Sequence, residues 1–268
     1  MGDRGEIMPL TKFQREVALL LAANRSDDSY LAGGAALHRA PNSKRYSNDL
    51  DYFHDSEERV AAAFEADREA LQKGGFSVMV EMSQRGFIRA VVARGQNATK
   101  IEWAHDSAWR FMPPIRNEEV GVQLHPVDLA INKLLALAGR DEPRDFLDIL
   151  FIHDEILHLG GLIWAAVGKD PGFTPVSLLE IVKRRGKYRP EDFARLSLVE
   201  PVDVVANKTK WLGALDEAER FIHAQPPSEA GCLYYSREKD AFVMPGKGAN
   251  AVPHYGAPGG VLPRILPD

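Results

Sequence analysis

The chain has a single cysteine, Cys232, in 268 residues, so no internal disulfide can form and no thiolate pair is available to hold zinc. Its eight histidines show no recognised zinc spacing. No apolar run reaches the roughly 18 residues that a bilayer-spanning helix needs. No basic, apolar leader opens the chain, and no fixed-period repeat runs through it. A cytoplasmic address and no membrane partner are the default expectations. Net positive charge is lacking too. The formal charge of −5 argues against a surface that coats nucleic acid throughout, while leaving room for a local basic cleft.

What is there is an ordinary globular composition, 45% hydrophobic and 26% charged, long enough for one large domain or two smaller ones. The informative stretch is 31–53, LAGGAALHRAPNSKRYSNDLDYF. If Asp49 to Phe53 is a strand, its period of two puts Asp49 and Asp51 on one face and Leu50 and Tyr52 on the other. Two carboxylates held together repel unless a cation or a donor compensates them. Mg²⁺ suits such a pair, with waters and substrate phosphates completing its shell. Upstream, Gly33 and Gly34 permit close approach of backbone N–H groups to a phosphate, and a helix expected over Ala35 to Arg39 turns its positive end to it. Arg45 and Ser47 stand alongside as further phosphate-contacting candidates. The bland alternative is a solvated turn followed by an edge strand.

Around this stretch the pattern reads as α+β. Thr11 caps a helix over 11–22, Ser56 caps one over 56–73, and Gly74–Gly75 lead to FSVMVEM, GFIRAVVA and KIEWAHD, three successive strands. Glu102 lies in the third, with Asp106 behind it; its register is not set by the sequence alone. Pro113 and Pro114 mark a boundary, and Pro126 opens a helix with Asp128 in its first turn. Lys133 follows Asp128 by five residues, among leucines. Farther on, Arg144 and Asp148 are four apart on the next helix, with Asp145 on a different bearing. A snorkelling lysine and a plain surface ion pair are the alternatives there.

GGAALHR, RYSNDLDYF, the acid five residues before a lysine and the arginine four residues before an aspartate occur in the order seen in the AbiEii/AbiGii nucleotidyltransferase toxins. The segment from about Leu31 to Ile152 resembles that family, within the polymerase-beta-like nucleotidyltransferase superfamily. The resemblance implies a core with a mixed sheet and flanking helices and a helical second region contributing to the active cleft; the proline boundary and the change to Pro/Gly-rich composition divide the chain into that core over 1–113, the helical region over 114–224 and a tail with a short hairpin over 225–268. It implies an enzyme that uses Mg²⁺ to transfer a nucleotide from an NTP to an acceptor. RNA such as the tRNA 3′ end is the expected acceptor, and a cognate antitoxin an expected partner. By resemblance, Asp49 and Asp51 hold the metal, with Glu102 as the third acid. Lys133 and Asp148 serve catalysis or nucleotide handling, and Arg144 clamps a phosphate or carboxylate. One departure is Ala35, where many members carry Ser or Thr, which leaves only backbone donors at that point. An antibiotic-type enzyme with a small-molecule acceptor and a non-enzymatic interaction protein are the competing readings.

Beyond these motifs, helices are expected over 154–168, over 175–185 and from Pro201 to about Ala224, with Trp211 in the core. Lys183, Arg184, Arg185, Lys187 and Arg189 form a basic cluster able to face RNA or simply to end a helix in solvent. CLYYS and DAFVM suggest short strands in a tail that buries little. His254 and Tyr255 have no visible catalytic companions.

Overall fold

The computed structural model describes residues 10–39, 45–246 and 250–263. Residues 40–44 of the polar turn before the acid pair, and part of the Pro/Gly-rich tail, lie outside them. In chain order the elements are α1 (Lys12–Leu21), β1 (Ser29–Ala32), α2 (Gly33–Leu37), β2 (Asp49–His54), α3 (Glu57–Lys73), β3 (Ser77–Gln84), β4 (Phe87–Arg94), β5 (Asn97–His105), β6 (Trp109–Arg110), β7 (Ile115–Asn117) and β8 (Gly121–Gln123). There follow α4 (Pro126–Arg140), α5 (Pro143–Glu155), α6 (Leu159–Lys169), α7 (Pro175–Val182), α8 (Val204–Ala224), β9 (Leu233–Ser236), β10 (Ala241–Phe242), β11 (Ala251–His254) and β12 (Ala257–Pro258). The chain divides into two compact units: 1–108 with 113–125 and 197–200, and 109–112 with 126–196 and 201–268. No helix among the described residues is long and apolar enough to cross a membrane.

The first unit is built on a mixed seven-stranded sheet in the order β3-β4-β5-β2-β1-β8-β7. β2 runs antiparallel to β1 and parallel to β5, so the acid-bearing strand lies inside the sheet. Alternation decides the faces. Ile88, Ala90 and Val92 of β4, Thr99, Ile101 and Trp103 of β5, and Leu50 and Tyr52 of β2 are buried together. α3 packs on that side through Val60, Phe64 and Leu71, capped at its start by Ser56 as expected. α1 begins with a capping box in which Thr11 and Gln14 satisfy each other's backbone N–H, worth about 1 kcal/mol.

Beneath the sheet Asp67 of α3 is fully buried and accepts hydrogen bonds from Arg25 Nη2 at 2.6 Å, Trp103 Nε1 at 2.7 Å and Asn24 Nδ2 at 2.9 Å. Arg25 also lies over the Tyr52 ring, 4.4 Å from its centroid. This polar knot ties α3 to the two strands whose opposite face carries acids. Two stretches depart from the sequence pattern. α2 begins at Gly33, two residues before the expected Ala35, and has only five residues. IRNEEVG, read as a polar connection, forms the β7–β8 hairpin, where the Asn117 side chain accepts from Glu119 N–H at 2.9 Å.

The second unit is mainly helical. The single helix expected over 154–168 is two, because α5 runs on to Glu155 and α6 starts at Leu159. Trp211 of α8 is buried, as its place in the apolar stripe predicts. The tail is more structured than its composition suggests. β9 pairs antiparallel with both β10 and β11, giving three strands rather than a hairpin, and Cys232 and Leu233 are buried.

Candidate active site

Strand β2 exposes its acids because its apolar partners are consumed by the core. Leu50, Tyr52 and His54 are buried, whereas Asp49, Asp51 and Phe53 are half-buried on the other face. The parallel register sets Glu102 beside Asp51 and Lys100 beside Asp49, and the β4–β5 register sets Arg89 beside Glu102. Registered neighbours share a face, so three acids and two cations are gathered on one surface of the first unit. Glu102 Oε1 accepts from Arg89 Nε at 2.8 Å and Nη2 at 2.7 Å. Arg89 and Lys100 escaped the sequence reading because only the strand registers bring them to the acids.

The paired glycines meet this surface directly. Gly33 has φ +61, and a Cβ there would lie 1.8 Å from Asp51 Oδ2. Its missing side chain is the space the Asp51 carboxylate occupies. A Cβ on Gly34 would lie 3.1 Å from both Arg45 Nη2 and Ser47 Oγ, so these four sequence-selected residues form one cradle. Ser47 Oγ–H donates to the Asp49 carbonyl at 3.0 Å, while the Ser47 carbonyl accepts from Gln14 Nε2 at 3.1 Å. Tyr46 N–H donates to the Ser197 carbonyl at 2.9 Å, which anchors the lead-in to β2. Ala35 is fully buried.

In the second unit Lys133 of α4 is buried against α5. Its Nζ lies 2.7 Å from Asp148 Oδ2 and 3.3 Å from Asp145 Oδ1. Asp145, set apart by its bearing in the sequence, is therefore a member of the cluster, and Arg140 completes it with contacts of 2.6 and 3.0 Å. Asp148 meets Lys133 across the helix pair, a contact that i,i+4 spacing within α5 does not reveal; Arg144 precedes both acids on α5. Asp128 serves elsewhere. Fully buried, it accepts from Phe111 N–H at 2.7 Å and Met112 N–H at 3.0 Å. Burial pushes its pKa up to about 6, with those two donors pulling the other way.

The basic cluster is less uniform than its sequence. Lys183 Nζ is held by Glu219 at 2.8 Å and Glu180 at 2.9 Å, and Arg185 bonds the Ala138 carbonyl and lies 3.4 Å from Asp141. Arg184, Lys187 and Arg189 are exposed. His153, His158 and Glu217 bring ligand-type atoms within 4.8 Å of one another, a grouping histidine spacing did not show. His153 Nδ1 is already engaged as the acceptor of Leu159 N–H at 3.1 Å.

The family described as nucleotidyl transferase AbiEii toxin, type IV TA system, matches residues 18–217. No curated protein matches the chain. Among solved structures, the nucleotidyltransferase toxin MenT4 of Mycobacterium tuberculosis H37Rv is 15% identical, with a TM-score of 0.51, 80% of this chain covered and 82% of that one. A Helicobacter pylori protein assigned as a nucleotidyltransferase is 13% identical, with a TM-score of 0.50, 80% of this chain covered and 98% of that one. At such identities the likeness concerns the fold, and the fold is that of nucleotidyltransferases. The match over 18–217, which takes in the glycine pair, the acid strand and the Lys133 cluster, establishes that the chain belongs to the AbiEii nucleotidyltransferase toxin family of type IV toxin–antitoxin systems.

Proposed function

We propose that the protein transfers a nucleotide from an NTP to an RNA hydroxyl, such as a tRNA 3′ end, in a Mg²⁺-dependent reaction, and that it acts as a cytoplasmic toxin countered by a cognate antitoxin. The observation that carries this reading is Gly33, whose backbone leaves room only for the Asp51 carboxylate. With no side chain at Gly33 the Asp51 carboxylate lies against the glycine backbone, and this fixed placement supports a role for that carboxylate in the site.

The donor set fits a hard divalent cation, since Asp49 and Asp51 offer oxygens on one face and Glu102 adds another alongside. When bound, Mg²⁺ supplies positive charge to the phosphate oxygens and lowers the pKa of the attacking hydroxyl. Asp49 and Asp51 would hold it, with Glu102, oriented by Arg89, beside them. Arg45, Ser47 and the open side of Gly34 receive a phosphate group of the NTP. Lys133, kept in place by Asp145 and Asp148, contributes positive charge as pyrophosphate departs. Asp148, buried against Lys133, would position the acceptor or take its proton once substrate binding opens that contact, and Arg144 clamps a phosphate. Arg184, Lys187 and Arg189 attract the RNA backbone.

Incubation with labelled NTPs, Mg²⁺ and total RNA, beside matched incubations with aminoglycosides and with protein, tests the acceptor class. Label in RNA that is lost with EDTA is the expected result. Label confined to the small molecule or to protein would replace the RNA reading.

A further inference from the structure

The second unit holds a pocket of about 260 Å³, and of its lining only Lys187 has been given a role above. Its walls are Phe146 of α5, Tyr188 and Phe193 of the segment after α7, and the first turns of α8 at Asn207 and Lys208. The rings form a cluster. Phe146 and Tyr188 have centroids 5.3 Å apart, and Tyr188 and Phe193 lie 5.8 Å apart at 75°. Gly186 fixes the wall between them. It has φ +75, and a Cβ there would lie 2.7 Å from Trp211 Nε1 and 2.9 Å from Phe146 Cε2. Behind it the buried Trp211 indole N–H has no hydrogen-bond partner among the described residues.

The rim is cationic. Lys187 is exposed, and Lys208 Nζ reaches over to the Gly186 carbonyl at 3.3 Å. The charged residues of the lining are both lysines, while the acids of the adjoining segments keep their charge but are held by local donors, Asp141 by Tyr188 Oη–H at 2.5 Å, Asp192 by Arg189 N–H at 2.7 Å and Asp203 by Ala206 N–H at 2.9 Å. Aromatic walls with a lysine rim match an unstacked base with its flanking phosphates, because a base has a π face and the strand carries the countercharge. The volume lies just under the range of drug-sized sites, which suits one ring system.

We propose that this pocket takes a single unstacked nucleobase of the RNA acceptor, with Lys187 and Lys208 meeting the adjoining phosphates. The proposal rests on the RNA-acceptor reading. The test follows the Trp211 indole N–H resonance of the full ¹⁵N-labelled chain, assigned by triple resonance, during titration with a single-stranded RNA and with the same strand lacking bases. Expected are a saturable shift with RNA alone, a Kd about tenfold weaker in Lys187→Glu, and loss of the shift in Val204→Phe, which fills the pocket; the other indole signals report that each variant is folded. An RNA that binds without moving Trp211, an abasic strand that moves it equally, or a shift produced only by a protein partner overturns the pocket. Transfer to RNA with an unchanged KM in Lys187→Glu also removes the pocket and leaves the acceptor reading standing. A base-dependent Trp211 shift without any label in RNA keeps the pocket and removes that reading.

Discussion

Gly33→Ala is the substitution that presses hardest on the acid strand. The new methyl would be built 1.8 Å from Asp51 Oδ2, where real Cβ contacts are not found under 3.0 Å, so the carboxylate must retreat by about 1.2 Å. Left-handed backbone at a residue with a side chain costs about 1–2 kcal/mol besides. A misplacement of about 1 Å at a reacting centre lowers rates on the order of 100-fold. Asp51 Cβ would itself lie 2.8 Å from the methyl, so strand β2 must give as well, and stability should fall by at least the backbone term, a melting shift of roughly 2–8 °C or more in a chain of this size. The assay is initial-rate incorporation of labelled nucleotide, run beside a thermal melt and beside Gly34→Ala. There the methyl meets Arg45 Nη2 and Ser47 Oγ at 3.1 Å and leaves Asp51 alone, so the loss should fall on the KM for NTP rather than on the turnover rate. A folded Gly33→Ala protein that transfers at the wild-type rate would show that the position of Asp51 is irrelevant to the chemistry.

Other perturbations separate the scaffold from the site. Asp67→Ala strands the buried Arg25 guanidinium and the Trp103 N–H, so urea unfolding should show a loss of about 3–5 kcal/mol; a loss under about 1 kcal/mol would mean the knot is dispensable. Lys133→Met leaves Asp145 and Asp148 buried without their shared cation and should destabilise by a similar ~3 kcal/mol. Adding Asp148→Leu should recover much of that stability but none of the incorporation, and a double variant with restored activity would deny Lys133 its role. Asp128 gives a pH signature. Its folded pKa of about 6 lies above its ordinary 3.8, so the folded state holds the proton more tightly. Its contribution is full below pH ~4 and is lost as pH rises through ~6, a span of about 3 kcal/mol. Asp128→Asn should flatten the stability profile of that window, and an unchanged slope would count against the burial of a protonatable carboxyl there.

Local rules made much of this architecture legible. Asp-Leu-Asp-Tyr-Phe alternates, and a strand with one buried face has no choice but to present both acids on the other. Thr11, Ser56 and Pro126 mark helix starts by groups that satisfy or omit the first N–H bonds, and all three stand where those helices begin. What stayed hidden depends on long-range register. Arg89 reaches Glu102 only once the β4–β5 hairpin is aligned, and Asp145 reaches Lys133 only through the angle at which α5 returns along α4. Propensity misplaced α2, since two glycines are poor helix formers and only packing starts the helix on them. Composition likewise hid β11, whose Ala251–His254 lies in Pro/Gly-rich sequence and gains its order from pairing with β9.

The most direct test is the intact mass of an RNA acceptor after reaction with one NTP and Mg²⁺, comparing the wild type with Asp49→Asn and Asp51→Asn. The wild type should add one or more nucleoside monophosphate units, and each variant should leave the mass unchanged while melting as a folded protein. Equal mass gain in the variants would contradict the acid strand as the place where the metal is held.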